Sequence, residues 1–446
     1  MTLTSNQPKT VQTTDTLKIS EADEQFNWKE CWYPVTFIQD LPKNQNRPYS
    51  FSLYDEPLVL FRNQNGKLVC LKDRCPHRAA KLSDGQIIDG KLECLYHGWQ
   101  FGTDGQCLHI PQLPTDAKIP ATSCVQSYPV VERQGMVWIW AGKLETVDEE
   151  NIPTVADLDN PTVASSDYIR DLPYDQNFFR ENIIDPSHLY TIHSETLYKG
   201  QDSQPLEIEV IKVSVRGIEG RYRKAKSQNQ NWMSLNFIAP NLVTYRILRS
   251  EVISGAALYS LPLGKGRCRI IVRNYNNSST WKLKLQPRWF EHWYRSKFVE
   301  EDLSLIVGQQ AQINCLQQSL RELYLPLKTS DVLVVEYRKW LDKYGSLLPF
   351  YQGYETSHNI DKQSVDIGTR LSRHTQICGS CSQAYEVTKK VKKTLVGLAI
   401  ALAALGLVLD HSWIQVLVVC ASISAVILAV VAEKVKTKFE HSYTRN

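Results

Sequence analysis

Two short Cys/His motifs constrain what this chain can fold into more than any other feature of its sequence. His77 follows Cys75 after one residue, and His97 follows Cys94 after two. Sixteen residues separate the first motif from the second. Two thiolates and two imidazoles bind metal together only if the fold brings two loops to one place. The sequence therefore predicts a small domain that presents two ligand loops side by side.

Two kinds of metal centre use two Cys and two His as ligands. A Rieske 2Fe–2S cluster holds one iron by two Cys and the other iron by two His. A zinc finger holds a single ion and usually pairs Cys with Cys and His with His along the chain. Each motif here combines one Cys with one His, which favours the Rieske cluster over zinc.

A second group of metal-binding residue types follows about ninety residues later. Asp185-Pro-Ser-His188 is followed by His193, and two His with a nearby carboxylate are typical ligands of a mononuclear Fe(II) that activates oxygen. Residues five apart on an α-helix point about 140° apart. A π-type turn, or a break near Pro186, must therefore bring both rings to one metal. An electron-transferring cluster and an oxygen-activating iron in one chain together predict an oxygenase.

Around these ligands the sequence resembles the Rieske non-haem iron oxygenase family. The resemblance rests on Cys75-Pro-His-Arg-Ala-Ala-Lys-Leu-Ser83 and on Cys94-Leu-Tyr-His-Gly-Trp-Gln-Phe101. Neither loop has the additional Cys of respiratory Rieske proteins, which agrees with the oxygenase type. The resemblance implies a 2Fe–2S cluster on Cys75, His77, Cys94 and His97, and a mononuclear Fe(II) on His188, His193 and a carboxylate.

The same resemblance assigns the remaining site residues. It places the third iron ligand on a long helix at the end of the catalytic domain, where Asp302 aligns best and Glu301 is the alternative. Asp185 would connect the two metal centres through hydrogen bonds to a Rieske His of a neighbouring subunit and to a ligating His of its own chain. Asn182 would lie beside the iron without binding it tightly. Asp185 and Asn182 are therefore the candidate catalytic residues.

Features near the C-terminus narrow the family to one branch. Cys378-Gly-Ser-Cys381 and two apolar segments resemble the pheophorbide a oxygenase branch, which is related to chlorophyllide a oxygenase and protochlorophyllide-a oxygenase. This implies a mono- or dioxygenase that uses O2 and reduced ferredoxin on an apolar tetrapyrrole, forms a homotrimer, and comes from a cyanobacterium. Three alternatives stay open, namely a Rieske oxygenase for another apolar ring, a membrane Rieske electron carrier, and a non-catalytic membrane scaffold or redox sensor that uses Cys378 and Cys381.

Cys378 and Cys381 have three interpretations that the sequence leaves open. They could form a redox switch, since Cys-x-x-Cys spacing favours reactive thiols. They could also be half of an intersubunit metal site, or inert thiols. We expect His292 and His374 to be structural or solvated, with the substrate pocket as a second possible place for His292.

The C-terminal segments predict a membrane anchor. Residues 394–409 and 413–432 are uncharged and mainly apolar, and Lys residues lie before the first and after the second. At about 1.5 Å per residue, the second segment spans a bilayer core of about 30 Å. Lys at both outer ends predicts a hairpin whose ends are cytoplasmic, in a thylakoid or plasma membrane. The alternative is a buried helical hairpin of a soluble domain.

The overall charge and cysteine content exclude other classes of protein. Lys and Arg number 51 against 47 Asp and Glu, and the net charge of +4 is too small to indicate nucleic-acid binding. Eleven Cys in 446 residues do not make a disulfide scaffold. The first 25 residues lack an apolar secretory core. We therefore expect reduced cysteines that are available for metal.

These patterns predict an α+β fold, with an antiparallel β Rieske domain, a helix-grip-like catalytic domain and a C-terminal transmembrane helical hairpin. The predicted strands of the catalytic domain are Ile208–Val215, Trp232–Phe237, Leu242–Leu248, Gly255–Leu261 and Cys268–Asn274, between helices at Asn182–Leu197 and from Gln286 to Leu323. The predicted boundaries are a disordered tail (1–26), the Rieske domain (27–145), a linker (146–166), the catalytic domain (167–326), a connector with the Cys-x-x-Cys (327–390), the hairpin (391–433) and a basic tail (434–446).

Overall fold

The computed structural model describes residues 25–44, 46–194, 196, 203–225, 231–249, 251–278, 286–356, 367–410 and 412–443. The predicted disordered tail lies outside these residues except for its last two. Phe26 is buried, and its N–H donates to the carbonyl of Tyr344 at 2.9 Å. The described chain is therefore attached to the protein core from its second residue.

The N-terminal region consists of short antiparallel strands, as its turn signals predict. The Asn63–Gly66 turn joins the third and fourth strands, with Gly66 at a φ of 76°, a conformation that glycine adopts without strain. Three sheets form, in the orders β1-β11-β10, β2-β3-β4-β9 and β5-β6-β7-β8. The strands are β1 (Trp32–Phe37), β2 (Tyr49–Leu53), β3 (Glu56–Arg62), β4 (Leu68–Lys72), β5 (Gln86–Ile88), β6 (Lys91–Glu93), β7 (Gln100–Phe101), β8 (Cys107–His109), β9 (Ser127–Tyr128), β10 (Val130–Arg133) and β11 (Met136–Trp140).

A seven-stranded antiparallel sheet forms the centre of the second region, in the order β12-β18-β17-β16-β15-β14-β13. Its strands are β12 (Ala164–Leu172), β13 (Leu206–Ser214), β14 (Gly217–Lys224), β15 (Met233–Ile238), β16 (Leu242–Arg249), β17 (Val252–Gly264) and β18 (Arg267–Asn276). The sequence predicted five of these strands and missed β12 and β14. Strand β12 carries a fully buried arginine, Arg170, paired with Glu300 at 2.5 Å, and a charged residue inside a strand conceals its apolar pattern.

The helices are α1 (Gln176–Ile184), α2 (Leu189–Ile192), α3 (Arg288–Leu316), α4 (Leu320–Leu323), α5 (Val332–Tyr344), α6 (Gly379–Val408) and α7 (Ser412–Glu440), with a π-turn at Leu371–Thr375. The long helix predicted up to Leu323 divides into α3 and α4. Gln317 ends α3 in the left-handed region at a φ of 53°, and a Ser319–Glu322 capping box begins α4. The predicted helix over Asn182–Leu197 is instead the end of α1 followed by α2; residues 195 and 197 of that prediction lie outside the described chain.

One hydrophobic cluster joins the two regions and places the helices against the sheet. It contains Val35 and Leu60 from the N-terminal strands, Phe178 from α1, Leu303 from α3 and Trp340 from α5, all buried. Burying one such side chain contributes about 1.5–3 kcal/mol. Helices packed against an antiparallel sheet confirm the predicted α+β class.

Helices α6 and α7 form an antiparallel hairpin at the C-terminal end. Both are long and apolar enough to cross a membrane, and only 11% and 17% of their most apolar stretches are buried inside the protein. Lys392 of α6 pairs with Glu433 of α7 at 2.6 Å. Because the apolar side chains point mainly outward, the hairpin is not the buried core of a soluble domain. Helix α6 begins at Gly379, within the predicted connector.

Candidate metal centres and active site

The two Rieske-type loops have the same backbone geometry. In each, the Cys N–H donates to the carbonyl five residues later, and the N–H four residues after the Cys donates back to the Cys carbonyl, at 2.8 or 2.9 Å. The residue at this fourth position, Ala79 in one loop and Gly98 in the other, has a positive φ of 57° or 73°. The two loops therefore have equivalent backbone conformations, one before strand β5 in the sequence and the other after strand β6.

The four side chains of these loops are arranged by type. Cys75 and Cys94 are buried free thiols, and the rings of His77 and His97 lie 4.4 Å apart, centroid to centroid. Trp99 stacks on His77 at 4.8 Å. The Nδ1 atom of His77 is buried and has no hydrogen-bond partner in the described parts of the chain. Paired imidazoles with an unsatisfied nitrogen, together with two buried thiols, fit a cluster that takes two His on one iron and two Cys on the other.

Burial raises the pKa of the Cys75 thiol to about 11, and the neighbouring Cys94 adds to this effect. Such a thiol stays protonated in water at neutral pH, but a metal removes the proton when it binds the sulfur. Leu95 and Tyr96, at the tip of the second loop, are each 60% exposed. These loops would therefore hold the cluster near the protein surface, where Leu95 and Tyr96 are available for contact.

The second group of ligands is positioned where α1 stops. Asp185 leaves the helix with an extended backbone, and Pro186 follows it, in agreement with the preference for extended backbone before proline. The break precedes both His residues, so it does not itself bring them together. His188 lies at the N-cap of α2, and His193 lies at its C-cap with a non-helical backbone. The predicted convergence is achieved by these two helix ends, and no π-turn is involved.

His188, His193 and Asp302 converge on one point. Their ligand atoms all lie within 4.8 Å of one another, and His193 Nε2 is 3.2 Å from Asp302 Oδ2. Within the described chain, His193 Nε2 and Asp302 Oδ1 are buried without a hydrogen-bond partner. Buried polar atoms normally have partners. Two imidazoles and a carboxylate with unsatisfied atoms facing each other fit a mononuclear iron with open coordination positions.

The other nitrogen of each ring is held by this chain. His188 Nδ1 lies 2.5 Å from the carbonyl oxygen of Asp185, and His193 Nδ1 lies 2.8 Å from Glu301 Oε2. Contacts of this kind orient metal-binding imidazoles. Burial lowers the pKa of His193, but the carboxylates of Asp302 and Glu301 raise it more, so the net shift is upward. The geometry places Asp302 on the metal-facing side of His193 and Glu301, the alternative ligand, on the opposite side.

Asp185 and Asn182 border this centre without entering it. The Asp185 carboxylate accepts hydrogen bonds from the Ser187 N–H and hydroxyl at 2.7 and 2.5 Å, and its Oδ2 lies 3.7 Å from His188 Nδ1. Its side chain is 20% exposed, so a neighbouring molecule can reach it. Asn182 lines the cavities on both sides of His188. Both residues are close enough to act on the iron ligands or on the substrate.

An apolar cavity of about 530 Å³ lies between the sheet, α1 and α3, with His188 and Asp302 in its wall. Its lining includes Phe179, Leu258 and Phe298, and Phe298 stacks on His193 at 3.7 Å. A second cavity, of about 540 Å³, lies on the other side of His188 and is lined by Glu181, Asp185 and Asp331 among others. The first is the better candidate for an organic substrate, because it is apolar and reaches both a His and the carboxylate of the iron site.

Cys378 and Cys381 lie far from both iron sites in the chain and are fully buried. They contact His292 and His374, so His292 does not line the apolar cavity. The sequence did not connect these four residues, because His292 belongs to α3 and the others to the base of the hairpin. The sequence feature that came nearest to indicating this group was the position of His374, four residues before Cys378.

Comparison with known proteins identifies the family. The Rieske [2Fe-2S] domain family matches residues 31–129, and the pheophorbide a oxygenase family matches residues 237–319. Protein TIC 55 of Pisum sativum is 35% identical and is aligned over 90% of this chain and 78% of its own. Pheophorbide a oxygenase of Oryza sativa subsp. japonica is 28% identical, with 92% and 83% covered. Flavonoid 8-hydroxylase 2 of Ocimum basilicum is 30% identical, with 86% and 78% covered.

Solved structures share the fold. The crystal structure of dicamba monooxygenase bound to dicamba superposes with a TM-score of 0.60 at 23% identity and covers 72% of this chain and 98% of its own. Together with the two ligand sets, these similarities show that the chain belongs to the Rieske oxygenase family, in the branch of Protein TIC 55 and pheophorbide a oxygenase, and uses one Rieske 2Fe–2S cluster and one mononuclear iron.

Proposed function

We propose that this protein is a membrane-anchored, ferredoxin-dependent oxygenase that inserts oxygen into a chlorophyll-related tetrapyrrole, such as pheophorbide a, chlorophyllide a or protochlorophyllide a. The observation that carries the proposal is the apolar cavity beside His188 and Asp302. Most of its lining, from Tyr245 to Asp302, lies within the 237–319 stretch that matches the pheophorbide a oxygenase family. Its volume of about 530 Å³ is in the range of cavities that enclose large organic ligands.

The proposed roles follow the geometry of each centre. Bound to their sites, the cluster would supply single electrons and the mononuclear iron would activate oxygen. Glu301 and the carbonyl of Asp185 hold the two His rings in place, and Phe298 covers one face of His193 and excludes water from it. Asn182 offers a polar contact at the cavity wall. The ligand sets are those expected from the sequence, namely Cys75, His77, Cys94 and His97 for the cluster, and His188, His193 and Asp302 for the iron.

Electron transfer between the centres is proposed to cross a subunit boundary in a homotrimer. The tip of the cluster loop, with Leu95 and Tyr96 each 60% exposed, is suited to contact a neighbour. Asp185 is also partly exposed, beside the ligand His188. In a trimer, the Asp185 carboxylate would accept a hydrogen bond from a Rieske His of the partner, while its carbonyl orients His188. Reduced ferredoxin would bring electrons to the cluster.

The hairpin is proposed to anchor the enzyme in a cyanobacterial thylakoid or plasma membrane, with the catalytic domains on the cytoplasmic side. Large exposed apolar side chains on α6 and α7, such as Ile400 and Val416, need a lipid or protein surface. Lys residues at 389–393 and 434–438 lie at the same end of the hairpin, which favours a cytoplasmic position for that end. The proposed domain boundaries are those expected from the sequence, with a membrane segment over 391–433.

An apolar ring other than a tetrapyrrole is the second candidate substrate. Flavonoid 8-hydroxylase 2 aligns over most of this chain at a level of identity similar to that of pheophorbide a oxygenase. A cavity walled by apolar side chains offers few polar contacts that would restrict it to one class of apolar ring. A membrane electron carrier that contains only the cluster is less well supported, because it does not need the convergence of His188, His193 and Asp302.

The test is a reconstituted reaction of the full-length protein in detergent. With reduced ferredoxin and oxygen, we would offer pheophorbide a, chlorophyllide a, protochlorophyllide a and a flavone, and identify products by mass. Gain of one or two oxygen atoms on one pigment is the expected result. Oxidation of the flavone alone would support the second candidate and exclude the tetrapyrrole.

The reaction needs a matched pair of variants. His188→Ala removes an iron ligand and should abolish the product while the cluster stays reducible. His109→Ala changes an exposed His outside both centres and should leave the product unchanged. Product formation that persists in His188→Ala would show that the proposed iron site is not the site of oxidation.

A further inference from the structure

A third group of metal-binding side chains lies outside both iron sites. His292 comes from α3, His374 from the π-turn, Cys378 from the N-cap of α6 and Cys381 from its first turn. Their ligand atoms all lie within 4.8 Å of one another. Each residue is at most 1% exposed. Neither the proposed oxygenase chemistry nor the proposed membrane anchor uses these residues.

The distances within this group match a single tetrahedral ion. His374 Nε2 lies 3.3 Å from Cys381 Sγ, and His292 Nδ1 lies 3.5 Å from Cys378 Sγ and 3.4 Å from Cys381 Sγ. Zinc bonds of about 2.3 Å to sulfur and about 2.0–2.1 Å to nitrogen, at tetrahedral angles, place a nitrogen and a sulfur about 3.6 Å apart. In these three pairs, the nitrogen and the sulfur therefore need to move apart by only a few tenths of an ångström or less to bind one ion.

The remaining nitrogens of both rings are already occupied. His292 Nε2 lies 2.7 Å from the carbonyl oxygen of Asp167, and His374 Nδ1 lies 2.6 Å from that of Ile169. A carbonyl only accepts, so each of these nitrogens carries the proton and donates. The unprotonated nitrogens then face the two sulfurs. A hydrogen bond from the other ring N–H to a backbone carbonyl is typical of metal-binding imidazoles. Both carbonyls belong to β12, so one strand orients both rings.

We propose that His292, His374, Cys378 and Cys381 of a single chain bind one structural zinc ion. Two thiolates balance the charge of Zn²⁺, so the buried site is neutral and avoids the cost of an isolated buried charge. Tetrahedral coordination by two sulfurs and two nitrogens is typical of structural zinc. A dithiol switch requires access for a redox partner, and burial of both Cys denies that access in the folded protein.

The ion would join α3 to two segments that are distant from it in the sequence and close to each other. It connects α3, whose residue Asp302 lies about 15 Å further along the helix, to the π-turn and to the first turn of α6. Asp40 reinforces this junction, since its carboxylate accepts from the Gly379 N–H at 2.8 Å and pairs with Arg288 at 2.7 Å. Zinc would thus fix the base of the hairpin to the helix that carries the proposed iron ligand.

The test is metal analysis of the full-length protein, purified without a polyhistidine tag from cells supplied with both metals. We expect one zinc per chain beside about three irons, the number required by one cluster and one mononuclear site. X-ray absorption fine structure measured at the zinc edge should show two sulfurs at about 2.3 Å and two nitrogens at about 2.0–2.1 Å from the ion. This measurement uses the unmodified protein and does not depend on activity or on the folding of a variant.

Matched variants locate the ion. The double variant Cys378→Ser/Cys381→Ser should lose the zinc and retain the visible spectrum of the Rieske cluster. Cys420→Ser, which changes an exposed thiol of α7, should retain both metals. Iron-replete protein without stoichiometric zinc would overturn the proposal, as would a zinc shell of oxygens or retention of zinc in the double variant. A purified chain whose mass is lower by two hydrogens, with a Cys378–Cys381 disulfide, would overturn it in favour of a redox pair.

Discussion

The carboxylate that completes the mononuclear iron site can be identified by comparing Asp302→Asn with Glu301→Gln. The two residues are adjacent on α3 and contact opposite nitrogens of His193. Asp302 Oδ2 lies 3.2 Å from Nε2, and Glu301 Oε2 lies 2.8 Å from Nδ1. Each substitution removes one negative charge and preserves the shape of the side chain. A difference in iron content between the two variants therefore reports which carboxylate lies on the metal side of His193.

The expected sizes of the two effects differ because one residue is a proposed ligand and the other supports a ligand. Loss of a partner behind a metal-bound His typically lowers metal affinity by 10- to 100-fold, which corresponds to about 1.4–2.7 kcal/mol. Glu301→Gln should therefore keep its iron when iron is in excess and lose it faster to a chelator. Asp302→Asn removes one of only three protein ligands and should leave the mononuclear site empty under the same conditions.

Iron content per chain and the spectrum of the Rieske cluster are measured on the same samples. We expect about three irons in the unmodified protein and in Glu301→Gln, and about two in Asp302→Asn, with the cluster intact in all three. The reverse pattern, with iron retained in Asp302→Asn and lost in Glu301→Gln, would make Glu301 the ligand. Equal iron content in both variants, including after treatment with a chelator, would refute the assignment of different roles.

Three further predictions concern stability and assembly. Glu300→Gln leaves two buried arginines without their carboxylate and should destabilise the protein by about 3–5 kcal/mol. The control Glu355→Gln removes the carboxylate of an exposed ion pair and should cost about 0–1 kcal/mol. Thermal unfolding of the two variants measures the difference. Burial raises the pKa of Asp175 to about 6, so its ionisation costs folding free energy as pH rises from about 4 to about 6. Asp175→Asn should therefore be more stable than the unmodified protein at pH 7, by up to about 3 kcal/mol, and equally stable near pH 4. If the variant and the unmodified protein have the same unfolding temperature at pH 7 as well as at pH 4, the reasoning is contradicted. Gly98→Ala places a Cβ 2.9 Å from Pro111 Cγ at a φ of 73°, a backbone conformation that costs about 1–2 kcal/mol for a residue with a Cβ. The variant should contain less Rieske cluster per chain, as read from visible absorption. An unchanged cluster content would show that the loop adapts to the added methyl group.

The sequence identified the chemistry of both iron sites because their Cys and His ligands lie in short local motifs, whereas Asp302 was assigned from the family resemblance. Spacing within a loop limits the possible geometry before anything is known about the fold, as in Cys75 with His77. The role of Glu301 was harder to assign. Adjacent carboxylates on one helix look equivalent in a sequence, and their roles separate only when the orientation of the His193 ring is known.

Long-range pairs account for what the sequence missed. Strand β12 was assigned partly to the linker, since Arg170 is polar in the sequence and its partner Glu300 lies on α3. The same limitation separated His292 from Cys378, which belong to different helices. Buried charges and buried metal ligands both depend on residues far along the chain, and a local hydrophobic pattern contains no information about such partners.

Helix α3 connects the features that were hardest to predict. In order along the helix, His292 contacts the base of the hairpin, Glu300 binds Arg370 and the Tyr443 N–H of the tail after α7, and Asp302 reaches the proposed iron site. Both ends of the hairpin are thus attached to the helix that carries Asp302, the proposed iron carboxylate. The proposed membrane anchor and the proposed iron site are therefore connected through a single helix, so a change at the base of the hairpin is expected to affect the position of Asp302.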